Sequence, residues 1–189
     1  MNFYLDVWKK IMIFALTCAM VSLASCDKIK EATSRDFKVN NVKFDFTATP
    51  TTGTGLMKAE TLNTFSVARS VNISELGSSD VTEYAGKISK VVVNSSSLKI
   101  TTVPAGAYTV ANVTVTAEGV SGSLLISSYT LGDTFTPPSN MNTYTSALIM
   151  KLLSAKTVTV TISGQTDAPT SATILISYES NLLFTASLL

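Results

Sequence analysis

The sequence predicts an all-β protein, an antiparallel two-sheet sandwich with one or two short helices, preceded by a signal peptide. Three observations carry that expectation. An apolar leader runs up to Cys26, the layout of a chain made for export. Beyond it, short runs rich in Val, Ile and Thr recur between clusters of Gly, Asn, Ser and Pro, as they do where many strands are joined by turns. Within several runs apolar and polar residues alternate with period two, which marks strands buried on one face.

The leader opens with a short polar segment, Met1 to Lys10, ending in Lys9 and Lys10, and continues as an apolar run from Ile11 to Leu23 broken only by Thr17 and Ser22. As a helix rising ~1.5 Å per residue, that run reaches only about two-thirds of the way across a ~30 Å hydrocarbon core, so it reads as a cleavable signal. The residues Leu23-Ala24-Ser25-Cys26 resemble the lipobox of bacterial lipoproteins. The resemblance implies diacylglyceryl attachment to the Cys26 sulfur, cleavage just before that residue and a third acyl chain on the freed amine. At about 0.8 kcal/mol per buried methylene, two or more chains hold a protein on a membrane durably. The implied organisation is a lipoprotein signal peptide over 1–25, a polar tether over 26–36 and a single β-sandwich domain over 37–189. The expected setting is the bacterial cell envelope, the outer membrane in the first place. An ordinary signal peptide with a coincidental cysteine is the competing reading.

Loss of the leader changes the chemistry on offer. It removes Lys9 and Lys10 from fourteen cations and Asp6 from thirteen anions, leaving a formally neutral remainder with nothing to attract nucleic acid. It also removes Trp8, the only tryptophan, and Cys18, so the remainder has no Trp, no His and no thiol besides Cys26. Intrachain disulfides are then impossible. Zinc, copper and haem sites lose their usual ligands, and catalytic triads and Cys–His pairs lose their base. The expectation is a protein without a cofactor or metal site and without enzymatic activity.

Past the tether, Val42, Phe44 and Phe46 alternate with Lys43 and Asp45 in a first strand that ends at Pro50, and Thr51 to Gly55 is a connection. In a second strand Phe65, Val67, Val71 and Ile73 share a face. Arg69, of the same parity, belongs either at the rim, the favoured placement, or beside a carboxylate. Ser78 to Gly86 reads as one short helix with Ser78 or Ser79 at its start and Gly86 closing it. Further strands are expected over Lys90–Asn94, Leu98–Val103, Tyr108–Ala117, Leu124–Leu131, Thr157–Ser163, Ala172–Tyr178 and Leu182–Leu188. Asn94-Ser95-Ser96-Ser97, Pro104-Ala105-Gly106 and Glu118-Gly119 separate them as turns. After Pro137 and Pro138, Leu148, Ile149, Leu152 and Leu153 fall at helical spacing, favouring a helix over Asn142–Ala155 against a buried strand through Ala147–Leu153. The last two runs keep even parity across Glu179-Ser180-Asn181, which suits one long bent strand as well as a hairpin.

An exported lipobox, VNISEL at Val71–Leu76, a Tyr-containing helix, Lys87–Val93 (KISKVVV) and Val158–Gly164 (VTVTISG) before a long final segment together resemble Bacteroidetes-type lipoproteins with immunoglobulin-like β-sandwich domains. The resemblance implies the fold and supplies no activity. Among carboxylates, Asp80 and Glu83 are the nearest pair on one helical face, where compensation of the helix dipole explains them. Asp133 suits a turn better than a calcium loop. The leading expectation is a non-enzymatic, lipid-anchored envelope protein that presents a binding or structural surface to an envelope partner. The alternative is a binding module for a glycan, on Tyr108, Tyr129 and Tyr144 in place of Trp, or for an apolar molecule between the sheets. A hydrolase using carboxylates alone is the remote third.

Overall fold

The computed structural model describes residues 33–53, 62–131 and 137–188. Leu23, Ala24, Ser25, Cys26 and Asp133 lie outside the described residues. In chain order the elements are β1 (Ser34–Ala48), β2 (Asn63–Asn72), a 3-10 turn (Ile73–Leu76), α1 (Ser79–Tyr84), β3 (Ile88–Val103) and β4 (Thr109–Ala117). There follow β5 (Leu124–Ile126), β6 (Tyr129–Thr130), α2 (Met141–Ala155), β7 (Thr157–Thr166) and β8 (Thr173–Ser187). They form a two-sheet antiparallel sandwich, with one sheet ordered β1-β8-β3 and the other β2-β7-β4-β5, β6 also pairing with β4.

The last two alternating runs are a single strand, β8, at the centre of the first sheet. Its even residues Ile174, Ile176, Ser180, Leu182, Phe184 and Ala186 are buried on the inner face. Both neighbours carry an irregularity opposite the same place. β1 slips between Val39 and Val42, with Asn41 left-handed at φ 58°, and β3 slips between Val93 and Ser95. Each slip switches the buried parity of its strand, from Phe37 and Val39 to Val42, Phe44 and Phe46 in β1, and from Val91 to Leu98 and Ile100 in β3. The expected turn at Asn94-Ser95-Ser96-Ser97 is therefore a bulge inside one sixteen-residue strand. Residues that favour turns also fit a bulge, because both need a local departure from the extended backbone. β1 also starts three residues before Phe37, at Ser34, with Ser34 to Asp36 exposed.

In the second sheet Phe65 and Val71 of β2, Val158, Val160 and Ile162 of β7, and Val110, Val113 and Ala117 of β4 turn inward. Gly164 lies opposite Phe65, and a Cβ there would sit 2.8 Å from the Phe65 ring, so this glycine makes room for the aromatic. The strand expected over Leu124–Leu131 is split: β5 pairs with Val113–Val115 and β6 with Thr109–Val110. Between those stretches β4 bulges against β7, with Asn112 at φ 51°, and the bend interrupts its partner. Ile73, expected in β2, is buried in the 3-10 turn that follows.

Helix α1 ends at Tyr84 with Ala85 still right-handed, so Gly86 does not close it. The left-handed glycine is Gly77, φ 69°, which ends the preceding 3-10 turn. Ser78 makes no capping bond through its side chain. Helix α2 forms over nearly the expected span and buries Tyr144, Leu148, Ile149, Leu152 and Leu153 against the sheets. The Ser146 hydroxyl donates to the Val91 carbonyl at 2.7 Å, and Asn140 Nδ2 donates to the Ser123 carbonyl at 3.3 Å. The helix thus spans from β3 to the start of β5 and closes that side of the sandwich. Among the described residues no helix is long and apolar enough to cross a membrane.

Candidate functional site

The Leu188 N–H donates to the Thr33 carbonyl at 2.7 Å, so the entry to β1 and the exit from β8 lie at one end of the sandwich. An anchor on Cys26 would hold the domain by that end.

Several carboxylates are bound up in local contacts. Asp80 pairs with Arg35 at 3.6 Å, and the Arg35 guanidinium lies 5.4 Å from the centre of the Tyr84 ring. Glu83 is exposed on the same short helix. Asp167 Oδ1 accepts the Thr109 N–H at 2.7 Å across the β4–β7 end. Glu75 joins Arg69, whose guanidinium lies 5.6 Å from the centre of the Phe46 ring. Arg69 is thus paired with a carboxylate and packed on an aromatic face instead of sitting free at a rim. Among the described residues no group of three or more Cys, Asp or Glu could hold a metal ion.

Between the sheets lies an apolar cavity of about 40 Å³, walled by Phe44, Leu98, Val160, Tyr144, Leu148 and Tyr178 among others. A water molecule's share of liquid volume is about 30 Å³, and a cavity that accepts benzene measures about 150 Å³. This space is too small for a drug-sized apolar ligand. At its edge the Tyr178 and Thr145 hydroxyls are hydrogen-bonded at 2.8 Å. Burial pushes the Tyr178 phenol above its ordinary pKa, and burial likewise raises that of Tyr144. The three tyrosines expected to serve as a sugar platform do not meet on one surface. Tyr144 is in the cavity wall, while Tyr108 and Tyr129 pack partly against the core, Tyr108 with its ring against Gly106.

The outer face of the first sheet holds a groove of about 420 Å³ lined by Lys43, Asp45, Lys99, Leu175, Ser177 and Glu179 among others. Strand register builds it: Lys43, Glu179 and Ser97 form one row across the sheet, Asp45, Ser177 and Lys99 the next, Thr47, Leu175 and Thr101 the third. The Ser177 hydroxyl in the first place, and then Lys43 at 3.3 Å, hold the Asp45 carboxyl below its ordinary pKa. Leu175 is 38% exposed in the middle of this polar ground. These residues were not singled out from the sequence, since each is only the polar half of an alternation until pairing sets the strands side by side.

No protein-family model matches the chain, and no curated protein matches it. Among solved structures it is similar to one of Desmodium yellow mottle tymovirus, at 14% identity over 82% of this chain and 84% of that one, with a TM-score of 0.26. It is also similar to a cryo-EM structure of Mud crab tombus-like virus, at 12% identity over 81% of each chain, with a TM-score of 0.33. Likenesses of that size carry nothing about role.

Proposed function

We propose that this is a non-enzymatic lipoprotein of the bacterial cell envelope, anchored to the outer membrane through Cys26, whose sandwich presents a surface to an envelope partner. The observation that supports the reading is the open, mixed-charge groove of about 420 Å³ across β1, β8 and β3, against an interior space of about 40 Å³. The commitment of Asp80, Asp167 and Glu75 to structural contacts supports a role without catalysis. Thr33 lies seven positions after Cys26, a reach of at most about 25 Å at ~3.6 Å per residue, so the domain would stand close to the lipid with its Val103 to Tyr108 end outermost.

Protease shaving of intact cells tests this, with a periplasmic control and a Cys26→Ala variant run beside the wild type. Cleavage of the wild type while the control survives places the sandwich outside the cell. Protection until lysis places it in the periplasm. Membrane association that is unchanged in Cys26→Ala would sink the anchor.

A further inference from the structure

The outer face of the first sheet carries its charges in an order that repeats. Pairing aligns Asp36 of β1, Thr185 of β8 and Lys90 of β3 in one row, and Asp45, Ser177 and Lys99 in another further along. Both rows read anion on β1, neutral hydroxyl on β8, cation on β3. The β8 line also holds Leu183, between Lys38 and Val92, and Leu175, between Thr47 and Thr101. Asp36, Lys90 and Lys99 are exposed, and among the described residues they make no ion pair within the chain. Neither helix covers the face, since Tyr84 of α1 packs on the ring of Phe37, a core residue, and α2 buries its apolar side between the sheets.

A row ordered minus, neutral, plus becomes its own complement when turned over about its middle. A second copy laid face to face about a twofold axis along β8 sets Asp36 opposite the second copy's Lys90 and Asp45 opposite its Lys99, each pair formed twice. Leu183 and Leu175, on the axis, meet their own counterparts. Glu179, the one charge on the axis, lies between Lys43 of its own row and Lys43 of the second copy. A twofold axis across the strands, with the same overlap, lays β1 on β1 and β3 on β3. It brings Asp36 to Asp45 and Lys90 to Lys99, like charge on like. The lengthwise axis also suits the anchor. The Leu188 N–H bond to the Thr33 carbonyl puts the entry to β1 at the end where β8 leaves, and rotation about β8 keeps those ends of both copies on one side. The contact runs from Thr185 to Leu175, and at ~3.4 Å per residue and ~4.8 Å per strand three strands cover about 500 Å² per copy, about 1,000 Å² in all. That is the lower limit for a specific interface, so the pair is weak in free solution and gains from confinement of both copies to one membrane. The flexible lysine stems take up the crossing of ~30° that twist imposes on stacked sheets. We therefore infer that the outer face of β1, β8 and β3 is a homodimer interface, on which a second copy of this chain docks about a twofold axis along β8. The inference rests on the proposed role as an anchored, surface-presenting protein and names its partner.

The test places the full-length protein, as the cell processes it, in vesicles of phosphatidylethanolamine and phosphatidylglycerol and treats it with a short bis-maleimide. Leu175→Cys, on the axis, should be captured as a dimer, and Ser66→Cys, exposed on the other sheet, should not. The protein without an added cysteine reports any capture through Cys26 itself. In the Leu175→Cys background, Asp36→Lys or Lys90→Asp alone sets two like pairs face to face and should lower the captured fraction at low surface density roughly tenfold, one decade in Kd. The double exchange reverses the order of the row and should restore capture to within about threefold of the starting level. No capture through Leu175→Cys, equal capture through Ser66→Cys, single exchanges without effect, or a double exchange no better than the singles would each overturn the inference. Near-UV circular dichroism confirms folding of each variant. If Leu175→Cys does not fold, sedimentation equilibrium of the charge exchanges alone decides. Flotation of the vesicles scores the anchor separately, and a chain that does not float is read by the same sedimentation, so a failed anchor and a failed interface are told apart.

Discussion

The side-chain oxygen of Asn181 accepts the backbone N–H of Asn41 at 2.9 Å, while its amide nitrogen donates to Ser95 Oγ at 2.9 Å. One residue at the centre of β8 thus holds the irregular points of both neighbouring strands, and the three-stranded sheet bends as a unit there. Asn181→Ala removes both bonds and should cost about 1–2 kcal/mol, read as a lower urea midpoint with an unchanged slope. Faster amide exchange at Asn41 should accompany it; an unaltered Asn41 exchange rate would count against the clamp.

Glu75 acts twice, its Oε1 accepting the Asn72 N–H at 2.9 Å at the start of the 3-10 turn and its Oε2 meeting Arg69. Glu75→Ala should lose about 1–2 kcal/mol, discounted for the partial exposure of the pair, and Glu75→Gln, which keeps the cap, about half of that. A double-mutant cycle with Arg69→Met isolates the ion pair. Coupling indistinguishable from zero would mean that only the cap matters.

Gly164→Ala tests the packing beneath β7. The added methyl would meet the Phe65 ring at 2.8 Å and Val113 Cγ2 at 3.1 Å, both in the core, so a loss of about 1–3 kcal/mol is expected in thermal unfolding. Phe65→Leu on that background should restore part of the loss. No restoration would point to backbone strain as the cause.

Tyr178 gives the fold an alkaline sensitivity. Because burial raises its folded pKa, its contribution is fully present below the unfolded phenol value of about 10 and is lost as pH rises through the higher folded value. Tyr178→Phe should cost about 1 kcal/mol at neutral pH through the lost Thr145 bond. Above about pH 10 the variant's denaturation midpoint should fall less steeply than that of the wild type, with Tyr144 supplying the remaining slope. Parallel pH profiles would contradict this account of Tyr178.

Much of the architecture was legible because burial on one face writes a period into the chain. Phe44 and Phe46, the even residues of β8, and the Leu148–Leu153 stripe of α2 all faced inward as their spacing implied. What misled was local chemistry with two structural uses. Asn94 and its serines suit a turn or a bulge equally, and only the continuous partner strand β8 decides between them. Arg69 was ambiguous for a similar reason, since its partner Glu75 lies past the strand's end in a turn that parity does not foresee. Cys26 was read from its neighbours alone. The groove of the first sheet was illegible, because β1, β8 and β3 contribute one alternation each and its rows exist only once three separated stretches are in register.

The order β1-β8-β3 has a temporal side. β1 and β3 never pair with each other, and both wait for a strand encoded some seventy residues after β3 ends. While the chain is being made, two strands of fifteen and sixteen residues have no ladder to join, and the first sheet can form only after β8 emerges. The first sheet therefore waits for nearly the last residues of the chain and closes on its central strand. A nascent chain arrested before Thr173 should accordingly remain protease-sensitive throughout β1 and β3, however much of the second sheet has already been made.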